Sequence, residues 1–482
     1  MRPTNHSQAA KGCYYTHHNL LHNAQKRTEM SISTWWRRRK TKPGNLPVTP
    51  VTLNRSEHAI SRSLISEHAL KVLYRLKDAG YDSYLVGGCV RDLMLGREPK
   101  DFDVVTNATP EQVKGVFRNA RLIGRRFRLA HVQFGRDIIE VATYRANPQA
   151  PIARDDDDDE NEGRLLRDNV FGTQIEDAVR RDFTVNSLYY DIRDFSVVDY
   201  VGGVKDLKQG ILRMIGDPAT RYREDPVRML RVIRFAAKLG FRIEPGTAAP
   251  IRECGRLLLE VPPARMFEEV LKLFHGGYAL ETFELLRQHG LFRYLFPLTE
   301  DCLAHEENNF PRLLVPRALA STDERIAADK PVNPAFLFAA FLWEPVRQEM
   351  QRLVASGMKP HETLQHAADH VLREQLRHIT IPKRFSIPMR EIWDMQGKLS
   401  RRHGKHAERL LEHKRFRAAY DFLLLRAHAG EEGRELADWW TRFQAVDASA
   451  RDAMVRDRVP EQGAPRHKRR PRKRRSTPRD PG

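Results

Sequence analysis

Cysteine is scarce in this chain, with four residues in 482: Cys13, Cys89, Cys254 and Cys302. They lie far apart and form no Cys-x-x-Cys pair, so the sequence offers neither a disulfide framework nor a cysteine-based zinc site. Such usage is typical of a reducing compartment, and we therefore expect a cytoplasmic protein.

Long apolar runs are also missing. The best apolar segment, residues 334–343, is about half of the ~18 residues that a membrane-spanning helix needs. The N-terminal stretch contains His, Asn and Lys throughout and lacks the apolar core of a signal peptide. The sequence therefore predicts no membrane span and no secretion signal.

Negative charge is in the minority: 82 Lys and Arg stand against 63 Asp and Glu, which gives a net charge of +19. The excess lies at the ends, because residues 1–50 and residues 466–482 each carry nine basic side chains and one acidic one. We predict a disordered basic leader over 1–56 and a disordered basic tail over 456–482. The body between them is near-neutral and large enough for an enzyme.

Hydrophobic periodicity divides this body into two kinds of structure. Short strand and helix patterns alternate from residue 57, with strands predicted over 84–86, 101–105, 122–123, 130–134 and 138–143. After about residue 215 helical patterns dominate, over 227–239, 266–275, 278–289, 334–343, 364–375, 407–411 and 417–428. A helix is also predicted over 59–79. The fold class is therefore a mixed α/β head followed by a mainly helical remainder.

Six consecutive acids occupy residues 155–160. Their mutual repulsion favours an exposed, solvated loop. The run could attract cations, but it lacks the fixed geometry of a metal site.

A glycine pair follows the first predicted strand of the head. Gly87 and Gly88 stand between that strand and a short helix, where bare backbone amides can approach a phosphate group closely. Most such pairs are simply turns, so this feature needs support from others.

That support comes from carboxylates. Asp101 and Asp103 are two residues apart on a predicted strand, and a period of two places both on one face. Glu140 lies in another predicted strand, where a buried acid would need a partner. Acids so close repel unless a cation lies between them, and Mg²⁺ prefers such oxygen ligands. The three acids beside a glycine cradle would suit two divalent ions.

Four motifs then occur in order. They are Gly87-Gly88-x-Val-Arg91-Asp92 with Asp101-x-Asp103, Arg180-Arg181-Asp182-Phe183-Thr184-Val-Asn186, Tyr200-Val-Gly202-Gly203-x-x-Asp206-Leu207, and Arg223-Glu224-Asp225-Pro226-x-Arg228-Met-Leu-Arg231. This series resembles the signature of the class II nucleotidyltransferases, the branch that contains bacterial poly(A) polymerases and CCA-adding enzymes. Singly, Arg181–Asp182 could be a surface ion pair and Glu224–Arg228 an ordinary i, i+4 helix pair.

The resemblance implies a role for each matched residue. Asp101, Asp103 and Glu140 would be catalytic and would hold two Mg²⁺ ions, with Mn²⁺ as the alternative metal. The nucleotide would be bound by Gly87, Gly88 and Arg91 at the triphosphate, by Asp182 and Asn186 at the sugar, and by Glu224, Asp225 and Arg228 at the base.

The stretch from Ile123 to Val132 resembles the bacterial poly(A) polymerase branch rather than the CCA-adding branch. The implied activity is template-independent addition of AMP from ATP to RNA 3′ ends, with release of pyrophosphate. A CCA-adding enzyme and a non-catalytic RNA-binding module remain the alternatives. His131, in this stretch, could be a packed strand histidine or a substrate contact.

RNA is the implied second substrate. The candidate RNA-binding residues are Arg125, Arg126, Lys383, Arg384, Lys468, Arg469 and Arg470. A basic tail can neutralise phosphates without sequence preference, although nuclear targeting and membrane-surface binding are other uses of such charge.

The resemblance also implies a domain order. We expect a nucleotidyltransferase head over 57–200, a neck over 201–265 and a helical RNA-binding body over 266–455. The chain would be a monomer in the bacterial cytoplasm.

Overall fold

The computed structural model describes residues 50–124, 128–146, 171–304, 313–403 and 405–456. The acidic run 155–160 lies outside these residues, as does nearly all of the predicted leader and tail. Within them, no helix is long and apolar enough to cross a membrane.

One mixed sheet forms the centre of the head. Its strands are β1 (Val51–Leu53), β2 (Ser83–Val86), β3 (Asp103–Thr106), β4 (Ala120–Ile123), β5 (Leu129–Phe134), β6 (Asp137–Thr143), β7 (Leu188–Asp191) and β8 (Val197–Asp199). Their order is β1-β8-β7-β2-β3-β6-β5-β4. Neighbours are antiparallel except β3 and β6, which are parallel. The predicted mixed α/β head is confirmed.

The first strand corrects the predicted leader. Val51–Leu53 pairs with residues 197–199, and a 3₁₀ turn follows at Arg55–Glu57, so the prediction of disorder is wrong for these residues. A three-residue strand has almost no sequence pattern of its own, and its partner lies far along the chain. Local periodicity could not reveal it.

Helices pack on this sheet: α1 (Glu67–Asp78), α2 (Gly88–Met94), α3 (Pro110–Val116) and α4 (Gln174–Arg180). The predicted helix over 59–79 was too long at its start, because Arg62–Leu64 is a separate 3₁₀ turn and the α-helix begins after Ser66. The opening of α3 was predicted correctly: Thr109 accepts the backbone N–H of Gln112, and Pro110 takes the first helical position.

The remainder is helical apart from a two-stranded pair, β9 (Ile211–Leu212) with β10 (Arg242–Ile243). The helices up to the middle of the chain are α5 (Gly203–Gln209), α6 (Pro218–Glu224), α7 (Val227–Leu239), α8 (Pro245–Ala248), α9 (Ile251–Cys254), α10 (Pro263–Phe274), α11 (Ala279–Gln288), α12 (Phe292–Leu295) and α13 (Pro297–Leu303). Those that follow are α14 (Leu314–Ala327), α15 (Pro334–Ala355), α16 (Pro360–Gln375), α17 (Lys383–Leu399), α18 (Lys405–Leu411), α19 (Phe416–His428), α20 (Arg434–Ala445) and α21 (Ala448–Arg456). The last helix includes Arg456, which the prediction assigned to the tail.

Buried apolar side chains connect the head with the helices. One cluster contains Leu85 and Phe183 from the head together with Ile233 of α7 and Phe338 of α15. A smaller cluster lies on the sheet face that carries Asp103, and it includes Val86, Val105 and Tyr189. Packing on both sides of the sheet therefore fixes the strand ends from which the acidic side chains project. The proposed division into head, neck and body stays a prediction.

Candidate active site

The turn after β2 requires a glycine. Gly87 has φ +81° and ψ −134°, a backbone conformation that only glycine adopts readily. A Cβ atom there would lie 3.7 Å from Nη1 of Arg181 and 3.8 Å from Oδ2 of Asp103, which are ordinary contacts. The backbone conformation, rather than a lack of space, thus excludes other residues. It also places Gly87 between a cation and an acid.

Strand register brings Asp103 and Glu140 side by side. They are direct partners in the parallel β3–β6 pair, so both side chains project from the same face of the sheet. Asp101 precedes β3 and is not part of a strand, which corrects the predicted 101–105 strand. Asp101 and Asp103 nevertheless line the same cavity.

Glu140 differs from the prediction in its burial. Its side chain is 51% exposed, and Oε1 lies 3.5 Å from Nε2 of His131. His131 is half-buried on β5 directly opposite Glu140, so it is neither a core residue nor remote from the acids. A strand on one side of a sheet can expose alternate residues, and the β-branched neighbours of Glu140 concealed this in the sequence.

The surroundings of Asp103 disfavour its charged form. Asp103 is exposed where it faces the cavity, although many protein atoms lie near its carboxyl group. Burial, together with Glu140 and Asp101, raises the pKa of Asp103 to about 6, although the Arg181 guanidinium acts in the opposite direction. Without a bound cation, the carboxylates of Asp101, Asp103 and Glu140 therefore repel one another.

This repulsion bears on metal binding. Among the described residues, no three His, Cys, Asp or Glu side chains lie close enough together to form a metal-binding group. The donor set nonetheless fits a hard divalent cation, because oxygen ligands of like charge lie near one another beside an open cavity. A cation between them would remove the repulsion that raises the pKa of Asp103.

The predicted phosphate and sugar residues also line this cavity. Arg91 is only 2% exposed, pairs with Asp92 at 2.7 Å and donates from Nη1 to Oδ1 of Asn186 at 2.5 Å. Asp182 lies beside Asn186 on the same wall and accepts from Nε of Arg231 at 2.6 Å. These contacts hold the polar groups in fixed orientations.

Two side chains hold the guanidinium of Arg181 in place. Its guanidinium donates to Oδ2 of Asp177 at 2.8 Å and to the hydroxyl of Tyr189 at 3.1 Å. Burial alone would lower the pKa of Arg181, but Tyr189 and Asp177 raise it above its usual value. The predicted surface ion pair with Asp182 is therefore not the arrangement found.

The three residues predicted at the base lie next to the cavity rather than in its wall. Arg228 pairs with Glu224 at 2.7 Å and with Asp182 at 3.4 Å. Asp225 pairs with Arg265 at 2.9 Å. The i, i+4 pair that the sequence allowed for Glu224 and Arg228 is thus present, and Arg228 also pairs with Asp182, which was predicted to contact the sugar.

Further cavity residues were not predicted. The cavity has a volume of about 710 Å³, and α7, α10 and α11 complete its wall with Arg231, Arg234, Phe235, Lys238, Lys272, Tyr278 and Thr282. A signal for some of them was present in the sequence. The polar positions of α7 recur every three or four residues between buried apolar ones, and the charged residues among them are all basic.

The predicted RNA-binding residues lie elsewhere. Lys383 and Arg384 are exposed at the start of α17 and do not line the cavity. Arg125, Arg126, Lys468, Arg469 and Arg470 fall outside the described residues.

Three family models match the chain. The Poly A polymerase head domain matches residues 83–213, the probable RNA and SrmB-binding site of polymerase A matches 240–303, and the polymerase A arginine-rich C-terminus matches 356–476. The first match contains the glycine turn and the carboxylates, so the motif resemblance and the family model agree on this region.

Curated relatives extend the likeness to most of the chain. The chain is 53% identical to Poly(A) polymerase I of Escherichia coli O6:H1 over 424 residues, which cover 87% of this chain and 91% of that protein. It is 33% identical to the CCA-adding enzyme of Bacillus pumilus over 249 residues, or 52% of this chain and 60% of that enzyme. Among solved structures, the Bacillus stearothermophilus CCA-adding enzyme in complex with CTP has a TM-score of 0.56 at 26% identity, covering 78% of this chain and 82% of that one.

Proposed function

The chain belongs to the poly(A) polymerase I family of nucleotidyltransferases, and we propose that its head cavity adds AMP from ATP to RNA 3′ ends without a template, releasing pyrophosphate. The observation that carries this proposal is the composition of the cavity. Asp101 and Asp103 line it, Glu140 is the strand partner of Asp103, and basic side chains form much of the remaining wall. This combination suits a nucleoside triphosphate held with a divalent cation.

We propose that Asp101, Asp103 and Glu140 hold the metal, with Mg²⁺ as the first candidate and two ions as the expected number. A divalent ion there would favour deprotonation of the RNA 3′-hydroxyl and offset charge on the triphosphate. The protein contributes the positions of the acids, which the β3–β6 register sets for Asp103 and Glu140.

The triphosphate is proposed to lie at Gly87, Gly88 and Arg91. The positive φ of Gly87 turns the backbone toward the cavity, and Arg91 is held there by Asp92 and Asn186. A guanidinium that is already oriented loses little freedom when it binds phosphate. Phosphoryl transfer depends mainly on such positioning and charge stabilisation.

The sugar and base are proposed to lie toward α7. Asp182 would accept hydrogen bonds from the ribose hydroxyls, and the amide of Asn186 would donate to them or accept from them. Glu224, Asp225 and Arg228 would present hydrogen-bonding groups to the base edge, and bases that leave such groups unpaired would be rejected. The link from Arg228 to both Glu224 and Asp182 supports this arrangement, because it connects base and sugar recognition.

RNA is proposed to approach along the helical part of the chain. Lys383 and Arg384 offer exposed positive charge there, and Arg125, Arg126 and the basic tail would add contacts that weaken with salt. We further propose that the protein acts as a monomer in the bacterial cytoplasm.

Extension of a labelled RNA with each NTP singly, in the presence of Mg²⁺, tests the proposal. Long tails with ATP alone are expected, on generic RNA and on tRNA that lacks its 3′ end. Addition of one to three residues that requires CTP and is confined to the tRNA would instead identify a CCA-adding enzyme. A protein that binds RNA but adds no nucleotide would contradict both activities.

A further inference from the structure

A second cavity lies in the helical part of the chain. Its volume is about 660 Å³, close to the 710 Å³ of the head cavity, and α14, α15, α17 and α19 contribute most of its wall. A cavity of this size has room for a nucleotide. None of the three family matches includes α14 or α15, so the wall that these two helices form has no role assigned to it.

One face of α14 brings uncompensated positive charge to this cavity. Arg317 and Arg325 are eight residues apart, so they share a helix face, and both are exposed and line the cavity. In the part of the chain that the structure describes, no hydrogen bond or ion pair reaches Arg317. Arg325 donates from Nη2 to the backbone carbonyl of Pro331 at 2.9 Å, which is a neutral acceptor. Both guanidinium groups can therefore meet an anion without giving up an acidic partner.

The wall near α19 adds further cations, although these are partly balanced. Lys414 and Arg415 share Glu391, at 3.5 and 2.7 Å, and Arg417 pairs with Asp421 at 3.0 Å. In total, five Lys and Arg side chains line the cavity together with two acids. The cavity therefore has a surplus of positive charge, which attracts a polyanion.

An aromatic ring lies among these cations. Phe336, in the first turn of α15, is half-buried and lines the cavity. Its ring packs edge-on with that of Phe422, at a centroid distance of 6.0 Å and an angle of 85°, and this contact holds it in place. Proteins that bind single-stranded RNA without sequence preference stack bases on such rings and meet the phosphates with cations. The combination favours a nucleotide of RNA over an acidic peptide, which the charges alone would attract.

The two cavities adjoin the same helix end. Lys272, Gly276 and Tyr278, at the end of α10 and just after it, line the head cavity. His275, from the same short stretch, lines the second cavity. An RNA whose 3′ end lies in the head cavity can therefore reach the second cavity with a nucleotide further upstream.

We propose that the second cavity is an RNA subsite, in which the base of an upstream nucleotide stacks on Phe336 and the adjoining phosphates contact Arg317 and Arg325. This assignment rests on the proposed function, which supplies RNA as the substrate. The subsite would keep the RNA bound while its 3′ end moves out of the head cavity after each addition.

The salt dependence of RNA binding tests both kinds of contact. Fluorescence anisotropy of a labelled single-stranded RNA gives the Kd for the full chain at several salt concentrations, without ATP and without divalent cation. Arg317→Gln and Arg325→Gln should each weaken binding by about threefold to tenfold at low salt. Each should also reduce the slope of log Kd against log salt by about 0.7, the value for one phosphate contact on a single strand.

The ring should behave differently from the arginines. Phe336→Leu should weaken RNA binding by about tenfold at every salt concentration, with the wild-type slope, because stacking involves no counterion release. Phe336→Tyr keeps an aromatic ring and should retain most of the affinity. A purely structural role of Phe336 would not produce this rescue together with an unchanged slope.

Arg352→Gln is the matched control. Arg352 is exposed on the same helix as Phe336 and does not line the cavity, so its Kd and slope should stay near those of the wild type. The melting temperature of Arg317→Gln should equal that of the wild type, because the side chain has no partner to lose among the described residues. KM for ATP at saturating RNA should be unchanged in every variant, because the head cavity is intact.

A triple variant of Arg317, Arg325 and Phe336 with the wild-type Kd and slope would overturn the proposal. Weaker binding of free AMP by Phe336→Leu, with unchanged RNA affinity, would overturn it too and would make the cavity a mononucleotide site. The RNA measurements do not depend on turnover. The wrong nucleotide choice in an extension assay would therefore contradict the proposed function without affecting this result, and loss of the subsite would leave nucleotide choice intact.

Discussion

Two groups of acids in this protein meet the same electrostatic difficulty in different ways. In the head, Asp103 lies beside Asp101 and Glu140, and its pKa is raised to about 6. In the helical part, Glu431 lies beside Glu344, and burial together with a hydrogen bond that protonated Glu431 donates to that neighbour raises the pKa of Glu431 to about 8. In both groups, burial and neighbouring acids disfavour the charged form of one carboxyl group.

The difference lies in what surrounds each group. Glu431 accepts from Nε1 of Trp343 at 2.9 Å and from Arg426 at 3.3 Å, while Arg347 pairs with Glu344 at 3.0 Å. Protein groups thus contact both acids, and the buried Oε1 of Glu431, which has no other partner among the described residues, is where a retained proton would lie. The head group faces a cavity, and Arg181 is the cation that lowers the pKa of Asp103. The Glu344–Glu431 pair is closed in the sense that protein groups surround it. The head group is open, because its acids face a cavity in which a metal ion would have room.

The largest expected effect comes from removing the open group. The combined D101A and D103A substitutions should lower the rate of AMP incorporation into RNA by about 10³-fold or more, because the metal would lose its ligands. The rate is measured with labelled RNA and saturating ATP. Asp137→Asn is the control: that acid begins β6 in the same sheet, is 67% exposed and pairs with His68. Normal RNA extension by the double variant would show that the head acids do not hold a catalytic metal.

A substitution at Gly87 tests whether the head site depends on the backbone conformation of the turn after β2. Gly87→Ala should destabilise the protein by about 1–3 kcal/mol, since alanine rarely adopts a φ of +81°. The turn at which the triphosphate is proposed to bind would also shift, and we expect extension to slow by roughly 10–100-fold.

Gly115→Ala provides the contrast for that substitution. Gly115 lies inside α3, has no neighbour within 4 Å of its Cβ position, and does not have a positive φ. The alanine should therefore stabilise the helix, by up to about 1 kcal/mol. Equal thermal and kinetic effects of the two substitutions would show that the Gly87 turn has no special part.

A smaller effect is expected at the closed pair. The pKa of Glu431 is raised on folding, so its contribution to stability is complete below the ordinary value near 4.5 and is lost as the pH rises toward about 8. Stability should decline by on the order of 1–3 kcal/mol between pH 5 and 8, and Glu431→Gln should flatten that decline. Urea unfolding at several pH values measures it.

Glu435→Gln is the control for this experiment, because Glu435 is exposed in the first turn of α20. It should leave the pH dependence of the wild type unchanged. A Glu431→Gln protein with an undiminished decline would mean that the pair does not retain a proton, and the contrast between the two acid groups would then weaken.

Local sequence patterns predicted the elements that carry their own signals. The helix over 227–239 has the predicted bounds, and Gly87, Asp101 and Asp103 lie together as expected from their motif. The motif also led to the family to which the chain belongs. These features are encoded within short stretches, so periodicity and residue type were sufficient.

Other features depend on partners distant in the chain. The predicted helix over 334–343 stopped before Pro345, yet α15 continues to Ala355 with Glu344 and Pro345 buried inside it. The direct pairing of Asp103 with Glu140 depends on a parallel register that no local pattern specifies. Arg234 and Lys238 were overlooked because basic residues on a helix usually face solvent, and only the packing of α7 against the head turns them into the cavity.

The head acids are proposed to form an open metal site, whereas the Glu344–Glu431 pair is closed. The most direct test is the melting temperature in EDTA and in Mg²⁺ at matched ionic strength, without nucleotide. Magnesium should raise the melting temperature of the wild type and of Glu431→Gln by a few degrees. It should not raise that of the combined D101N and D103N variant, which should already be at least as stable as the wild type in EDTA. An equal magnesium shift in all three proteins would contradict the account.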